Sequence, residues 1–313
     1  MLRKGIRVGR AEIGVSTNSP SLLGEERFFW LNTNFRSVEF LPYSGDLDGF
    51  VEIWDRPNEE AGLEVRGRVL RLEGDFAAWE EEAEDRRYTL FGNLGIFSPW
   101  ALRIMEEAHS VHTLHACGLY RDGELTIVLG GPGAGKTVFL LCGIEEGWRV
   151  FSTEFLHFCA GDRVKFFKGS LRDPVRAETL LRFPKATKLL KVKDIGEEAG
   201  GKMVVDFSPF SVPEDVLAGP EVRVIFSHVE ERRERIVREE MKKAEAIERL
   251  LFQNASEKLG KGGLLYRSFP FPGFDNFRLA KRRHEDIKRF LGKASLKECV
   301  YFVAGIDDVR TLL

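Results

Sequence analysis

Apolar and polar positions change rhythm along the chain. Over residues 1–75 the apolar residues come in short runs or alternate with polar ones, as in "IRVGRAEIGVST", "RFFWLN", "SVEFLPY", "FVEIW" and "LEVRGRVLRLEG". Such segments, rich in β-branched and aromatic residues, predict strands, and "NSPS", "SGDLDG" and "RPNEEAG" predict the turns between them. The rhythm then lengthens. Residues 76–92, with "AAWEEEAEDRRY", predict a helix, and "SPWALRIMEEAHSVHTLHA" predicts a helix that runs into a strand. Pro99 suits a first helical turn behind Ser98 as N-cap.

From there strands and helices alternate. "TLHACGLY" and "ELTIVLG" flank "RDG", whose Asp-Gly pair signals a hairpin. A helix from about Lys136 to Glu146 stops at Gly147, "WRVFSTEF" is the next strand, and "LHFCAGDRVKFF" is a strand pair turning at "AGD". A mixed basic stretch, "LLRFPKATKLLKVK", and "KMVVDF" follow, and "VRVIFSHV" is a strand. In "EERRERIVREEMKKAEAIERLLFQNA" the residues Ile236, Met241, Ala244, Ile247 and Leu251 share a helical face. Opposite charges recur there at i,i+4, so one long amphipathic helix is expected. "RLAKRRHEDIKRFLG" predicts a last helix with "KRRHEDIKR" as a solvated face, and "CVYFVAG" a closing strand. The expected organisation is a β-rich N-terminal domain over residues 1–105 and an α/β domain with a mixed sheet over residues 106–313.

Composition removes several function classes. A net charge of −2 over 313 residues leaves no electrostatic footprint for nucleic acid. No apolar stretch is long enough to span a membrane. The first residues, "MLRKGIRVGRAEIG", lack the apolar core of a signal peptide, so a cytoplasmic protein is expected. Cys117, Cys142, Cys159 and Cys299 form no C-x-x-C pair and sit in or beside apolar segments, which predicts buried free thiols and no zinc site.

One stretch carries chemistry. Gly130, Gly131, Pro132, Gly133, Ala134, Gly135, Lys136 and Thr137 lie between a β-branched strand and an apolar helix and fit G-x-x-x-x-G-K-[ST], the P-loop pattern. Glycines let successive backbone N–H groups converge as an anion-binding nest where a Cβ would block the turn. The helix N-terminus adds its dipole and unpaired donors. Lys136 reaches β- and γ-phosphates in this motif, and the Thr137 hydroxyl is a Mg²⁺ ligand. The motif also needs a strand-end carboxylate on the metal side. Glu154, closing the strand after the P-loop helix, is the best placed, ahead of Glu230 and Asp206.

With "LHACGLYRDGELTIVLGGPGAGKT" followed by "GWRVFSTE", residues 108–313 resemble the HPr kinase/phosphorylase family, whose nucleotide-binding core is related to that of phosphoenolpyruvate carboxykinase. Members show a strand beginning His-Gly or His-Ala, a hairpin, the P-loop, a helix ending in glycine and a strand ending in two acids. His115 precedes Gly130 by fifteen residues, which suits that hairpin. The sequence departs from the pattern at three places. Thr153-Glu154 stands where the family has Asp-Asp, and Val138 where it has a Glu after the P-loop hydroxyl residue. The glycine-rich second signature that accompanies phosphorylase activity has no match.

The resemblance implies a P-loop core of the HPr kinase/PEP carboxykinase-like type in a divergent kinase. Its cofactors would be ATP, or another nucleoside triphosphate, and Mg²⁺, and its acceptor a hydroxyl of a protein serine or small metabolite. Lys136 would stabilise the transferred phosphoryl, Thr137 and Glu154 would hold Mg²⁺, and His115 would act near the acceptor hydroxyl as a base or the orienter of one. His115 as a core histidine is the alternative, and His112 reads as structural or solvent-facing. Lys202, Arg172 and Arg176 are weaker phosphate-binding candidates against a reading as surface charge. The missing acid at Thr153 keeps a non-catalytic nucleotide-binding regulator as a second function. The aromatic–proline loop "SFPFPGFDNF", residues 268–277, reads as core packing first and as a lid or subunit contact second, which leaves a homo-oligomer open.

Overall fold

The computed structural model describes residues 1–192, 202–231, 233 and 235–313. It is a mixed α/β protein with mixed sheets, and its chain divides into two units. The first unit comprises Met1–His112 with Ser256–Ala280, and the second Thr113–Ala255 with Lys281–Leu313.

The alternating start of the chain folds as β1 (Leu2–Val8) and β2 (Ala11–Thr17), paired antiparallel around Gly9 in the left-handed region at φ 57°. Next come β3 (Val38–Leu41), β4 (Gly49–Asp55), β5 (Gly62–Arg66) and β6 (Val69–Gly74). These six strands make one sheet in the order β3-β1-β2-β4-β6-β5. Ile6, Val8, Ile13, Val15, Ile53 and Leu72 are buried in it, as period-two alternation requires of a half-covered sheet. The helices α1 (Phe76–Glu82) and α2 (Phe97–His109) complete this part of the chain. Ser98 is not the cap of α2. The helix begins two residues earlier, at Phe97 with Ile96 at the cap, and the Ser98 hydroxyl accepts instead from Asn34 Nδ2 at 2.8 Å. The buried Glu80 joins distant segments of this unit, accepting from Leu90 N at 2.9 Å and from Tyr266 Oη at 2.8 Å, and pairing with Arg27 at 3.1 Å.

The second unit opens within β7 (His112–Arg121), at Thr113, and continues into β8 (Glu124–Leu129); the two strands are joined at Asp122 and Gly123, both at positive φ as the Asp-Gly signal requires. Then follow α3 (Lys136–Glu145), β9 (Arg149–Ser152), β10 (Phe155–Ala160), β11 (Val164–Phe167) and β12 (Arg172–Arg176). The basic stretch holds two short helices, α4 (Ala177–Arg182) and α5 (Pro184–Leu189). Beyond it lie β13 (Lys202–Asp206), β14 (Val216–Ala218), β15 (Glu221–Glu230), β16 (Val237–Glu240) and α6 (Ala244–Gly260). Residues 263–271 carry a hairpin of the first unit, β17 (Gly263–Leu265) and β18 (Phe269–Phe271). The aromatic–proline loop after it packs inward there: Phe271 and Phe274 are buried, with Phe274 against Trp100 at 5.4 Å. Finally α7 (Phe277–Lys293) leads to β19 (Ser295–Gly305).

The large sheet runs β14-β11-β10-β7-β8-β15-β19-β16, with β9 also on β7. Its centre, β8-β15-β19, is parallel and covered on both faces, which explains the unbroken apolar run "LTIVL". Val128 and Ile225 face α3, whereas Ile127 and Val224 belong to the opposite core with Ile247, Leu251, Ile287 and Phe290 of α6 and α7. Burial nearly all round α3 accounts for its apolar "VFLLCGI".

Two expectations fail here. The long helix over residues 230–255 is instead a strand and a shorter helix. β16 adds to the sheet edge antiparallel to β19, pairing Val237 with Val303 and Glu240 with Val300. Edge pairing overrides the i,i+4 charge pattern, and Arg238 bonds Glu298 across the strands. The charges on β16 stay exposed, a usual protection for an edge. Of the expected i,i+4 pairs, one includes Glu234, which lies outside the described residues. Nor is "KRRHEDIKR" a wholly solvated face, because Arg283 and Asp286 are buried on α7.

Candidate functional site

The glycine loop leaves the C-terminal end of β8 and enters α3, with Gly133 at φ 84° and Gly135 at φ 92°. Two of its glycines are required by space. A Cβ on Gly135 would stand 2.3 Å from Val229 Cγ2, and one on Gly130 would stand 2.3 Å from the Ala134 Cβ. At Gly131 and Gly133 a Cβ would meet nothing within 4 Å, so these backbone positions face open space. Ser227, on the adjoining β15, donates to the Ala134 carbonyl at 2.8 Å and holds the loop's exit.

Lys136 is buried at the head of α3 and turns its ammonium back over the loop. Nζ donates to the Gly130 carbonyl at 2.9 Å and lies 2.9 Å from His115 Nε2 and 4.0 Å from Glu154 Oε2. Glu154 Oε1 lies 2.7 Å from the same His115 nitrogen. His115 Nε2 thus has an ammonium on one side and a carboxylate on the other. Nε2–H donates to Glu154 in one tautomer, and the bare nitrogen accepts from Lys136 in the other. His115 itself is 2% exposed, whereas the side chain of Glu154 is 25% exposed. The carboxylate, not the imidazole, is the more open partner.

Sequence reasoning brought His115, Lys136 and Glu154 to one place but missed two neighbours. Asp173, on β12, accepts a hydrogen bond from Thr137 Oγ1 at 2.8 Å. Burial, and after it the charge of Glu154, pushes the Asp173 carboxyl up to about 6, against the opposing Thr137 hydrogen bond. Asn254, on α6, grips the backbone of His115 at both ends. Its Oδ1 accepts from His115 N at 2.8 Å and its Nδ2 donates to His115 O at 3.1 Å, as a neighbouring strand would. An asparagine inside a helix is a weak local hint of such a task.

Thr153 is buried, and its hydroxyl lies 3.1 Å from both the Ser170 and the Arg172 carbonyls, so it ties down the start of the strand that carries Asp173. The other proposed carboxylates are engaged elsewhere: Asp206 accepts from Ser208 N at 2.8 Å, and Glu230 pairs with Arg233 at 2.7 Å. His112 is buried beside Glu106 at 3.2 Å, a structural placement. Cys117 lies under α3, where burial pushes its thiol well up and leaves it unreactive.

These groups open into a cavity of about 510 Å³ whose walls include Lys136, Glu154, Asp173, Arg176, Lys202 and Glu231. Arg172 does not line it. Among the described residues no group of three or more His, Cys, Asp or Glu side chains is placed to hold a metal ion by itself. Among the same residues no helix is long and apolar enough to cross a membrane. No protein-family model and no curated protein matches the chain.

Proposed function

We propose that the chain is an ATP- and Mg²⁺-dependent phosphotransferase with a P-loop core of the HPr-kinase-like type. The observation that carries this reading is the convergence of Lys136, the His115–Glu154 pair and the Thr137–Asp173 pair on one cavity.

The residues suit the nucleotide and its ion. Gly131 and Gly133 present bare backbone to open space, and a helix N-terminus follows, a cradle for phosphate oxygens. Mg²⁺ keeps several waters and takes one or two carboxylates beside substrate phosphates, so a full protein cage is not needed. Asp173 with Thr137 supplies the first such ligand, and the repulsion between Asp173 and Glu154 favours a divalent cation beside them. Bound ATP·Mg²⁺ would supply the transferable phosphoryl group and neutralise its charge.

The chain's own part is positioning and one proton. Lys136, held by the Gly130 carbonyl, offers its remaining donors to phosphate oxygens. Glu154, more open than His115, receives the proton of the acceptor hydroxyl, and His115 orients that carboxylate through Nε2. Asn254 keeps His115 in register from behind. Glu154 is thereby offered two roles, at the acceptor and beside the cation, and mutation separates them.

A second reading, a nucleotide-binding regulator without turnover, draws on Thr153. Where the HPr kinase pattern has an acid, this hydroxyl is spent on the Ser170 and Arg172 carbonyls. The deciding experiment is calorimetry with Mg·ATP on wild type and Lys136→Ala, followed by a screen for ATP-dependent phosphorylation of hydroxyl compounds and serine-containing proteins. Loss of Lys136 should weaken nucleotide binding about tenfold or more, since charge-assisted hydrogen bonds are about twice as strong as neutral ones. Equal affinities would overturn the P-loop assignment, and tight binding with no phosphorylated acceptor would favour the regulator.

A further inference from the structure

β12 and β13 form a two-stranded antiparallel ribbon at the cavity wall. Its register places Arg172 opposite Asp206 at one end and Arg176 opposite Lys202 at the other. Side chains directly opposite in such a pair share a face, with Cβ atoms about 5 Å apart, and like charges there are destabilising. The first pairing is complementary and the second repulsive. The repulsive end is the one that lines the cavity.

Among the described residues no ion pair cancels that repulsion, and Lys202 acts on Asp173 through its charge alone. Among the described residues neither the Arg176 nor the Lys202 side chain forms an ion pair or hydrogen bond. Arg182, the other arginine of the cavity, is already matched by Glu231 at 2.7 Å. Asp173, the nearest acid on the ribbon, is committed to Thr137, and Glu178 lines the cavity without pairing to either cation. Two cations directly opposite on a ribbon beside a cavity repel each other less when an anion lies between them.

We propose that Arg176 and Lys202 hold a carboxylate or phosphate group on a small hydroxyl compound, the acceptor of the phosphoryl group. This assignment rests on the phosphotransferase reading and narrows its substrate class. The nucleotide's own phosphates have the loop backbone and Lys136, which leaves the ribbon's charges for a second anion. A cavity of about 510 Å³ lies within the range of small-molecule sites.

The test uses inorganic sulfate as the anion, titrated by calorimetry into protein saturated with the Mg²⁺ complex of a non-hydrolysable ATP analogue, so that the glycine loop is filled. Wild type should bind sulfate, and Arg176→Gln/Lys202→Gln should bind it about tenfold or more weakly, the loss expected for two charge-assisted contacts. Affinity for the analogue should move by less than about threefold. In matched assays wild type should prefer glycerate or glycerol phosphate over glycerol, and the double variant should lose that preference. Equal sulfate affinity in the two proteins overturns the proposal. So does a fall in analogue affinity as large as the fall for sulfate, which would give the pair to the nucleotide. A preference for serine peptides flanked by acidic residues over all small anions would overturn the small-molecule assignment. If the analogue does not bind at all, the phosphotransferase reading has failed separately, and the same sulfate titration in a Lys136→Ala background still reads the pair.

Discussion

Thr137 Oγ1 donates to Asp173 Oδ2 at 2.8 Å, across thirty-six residues of chain, and the carboxyl it reaches is buried. A hydroxyl at the head of a glycine loop bonded to a buried carboxylate is a natural seat for a hydrated divalent cation. Burial and the charge of Glu154 both resist ionisation of Asp173, and a cation would relieve both.

Asp173→Asn should therefore retain the Thr137 hydrogen bond and the shape of the site while removing the charge. ATP affinity without Mg²⁺ should change by less than about threefold, and the gain on adding Mg²⁺ should disappear. Glu154→Gln should keep that gain. Calorimetry with and without Mg²⁺ on the two variants gives the answer, and the reverse pattern would place the cation on Glu154.

Glu154 and His115 should separate from Lys136 in a different measurement. Glu154→Gln should leave ATP affinity nearly intact and lower turnover about 10²–10⁴-fold, the range for loss of a general base. His115→Ala should lower turnover by less, because the carboxylate remains and only its orientation is lost. A thermal melt on the same His115→Ala sample distinguishes this from the behaviour of a core histidine. A variant that melts lower but turns over normally when folded would remove His115 from the site.

The glycine loop was legible because all its requirements are local. Gly130, Gly135, Lys136 and Thr137 are contiguous, and the strand before and helix after them are signalled by their own residues. Asp173 was not legible, since "SLRDPVRAE" has the composition of surface and only the pairing of β12 with β13 brings its carboxylate to Thr137. Asn254 reaches His115 across 139 residues, beyond any periodicity. β16 shows the opposite failure. Its charges repeat with a helical spacing, yet β19 offers a strand edge sixty residues away, at Glu298 for Arg238, and the edge prevails. The return of residues 256–280 to the first unit is likewise a product of tertiary packing that no local pattern carries.

The last prediction concerns pH and lies apart from the cation. His157 on β10 is fully buried, with Thr113 Oγ1 2.8 Å from its Nδ1, and burial lowers the imidazole from its ordinary 6.5 to about 4. The unfolded chain consequently binds a proton between these two values that the folded chain refuses. Stability from this group is complete above about pH 6.5 and is lost progressively as pH falls towards 4, a change on the order of 3 kcal/mol for a shift of this size. His157→Asn keeps a polar partner for Thr113 and cannot be protonated. Chemical denaturation at pH 7.5 and at pH 5 should show wild type losing more stability than the variant over that interval. Parallel losses in the two proteins would mean that His157 is accommodated in its charged form, and that the acid sensitivity of the fold arises elsewhere.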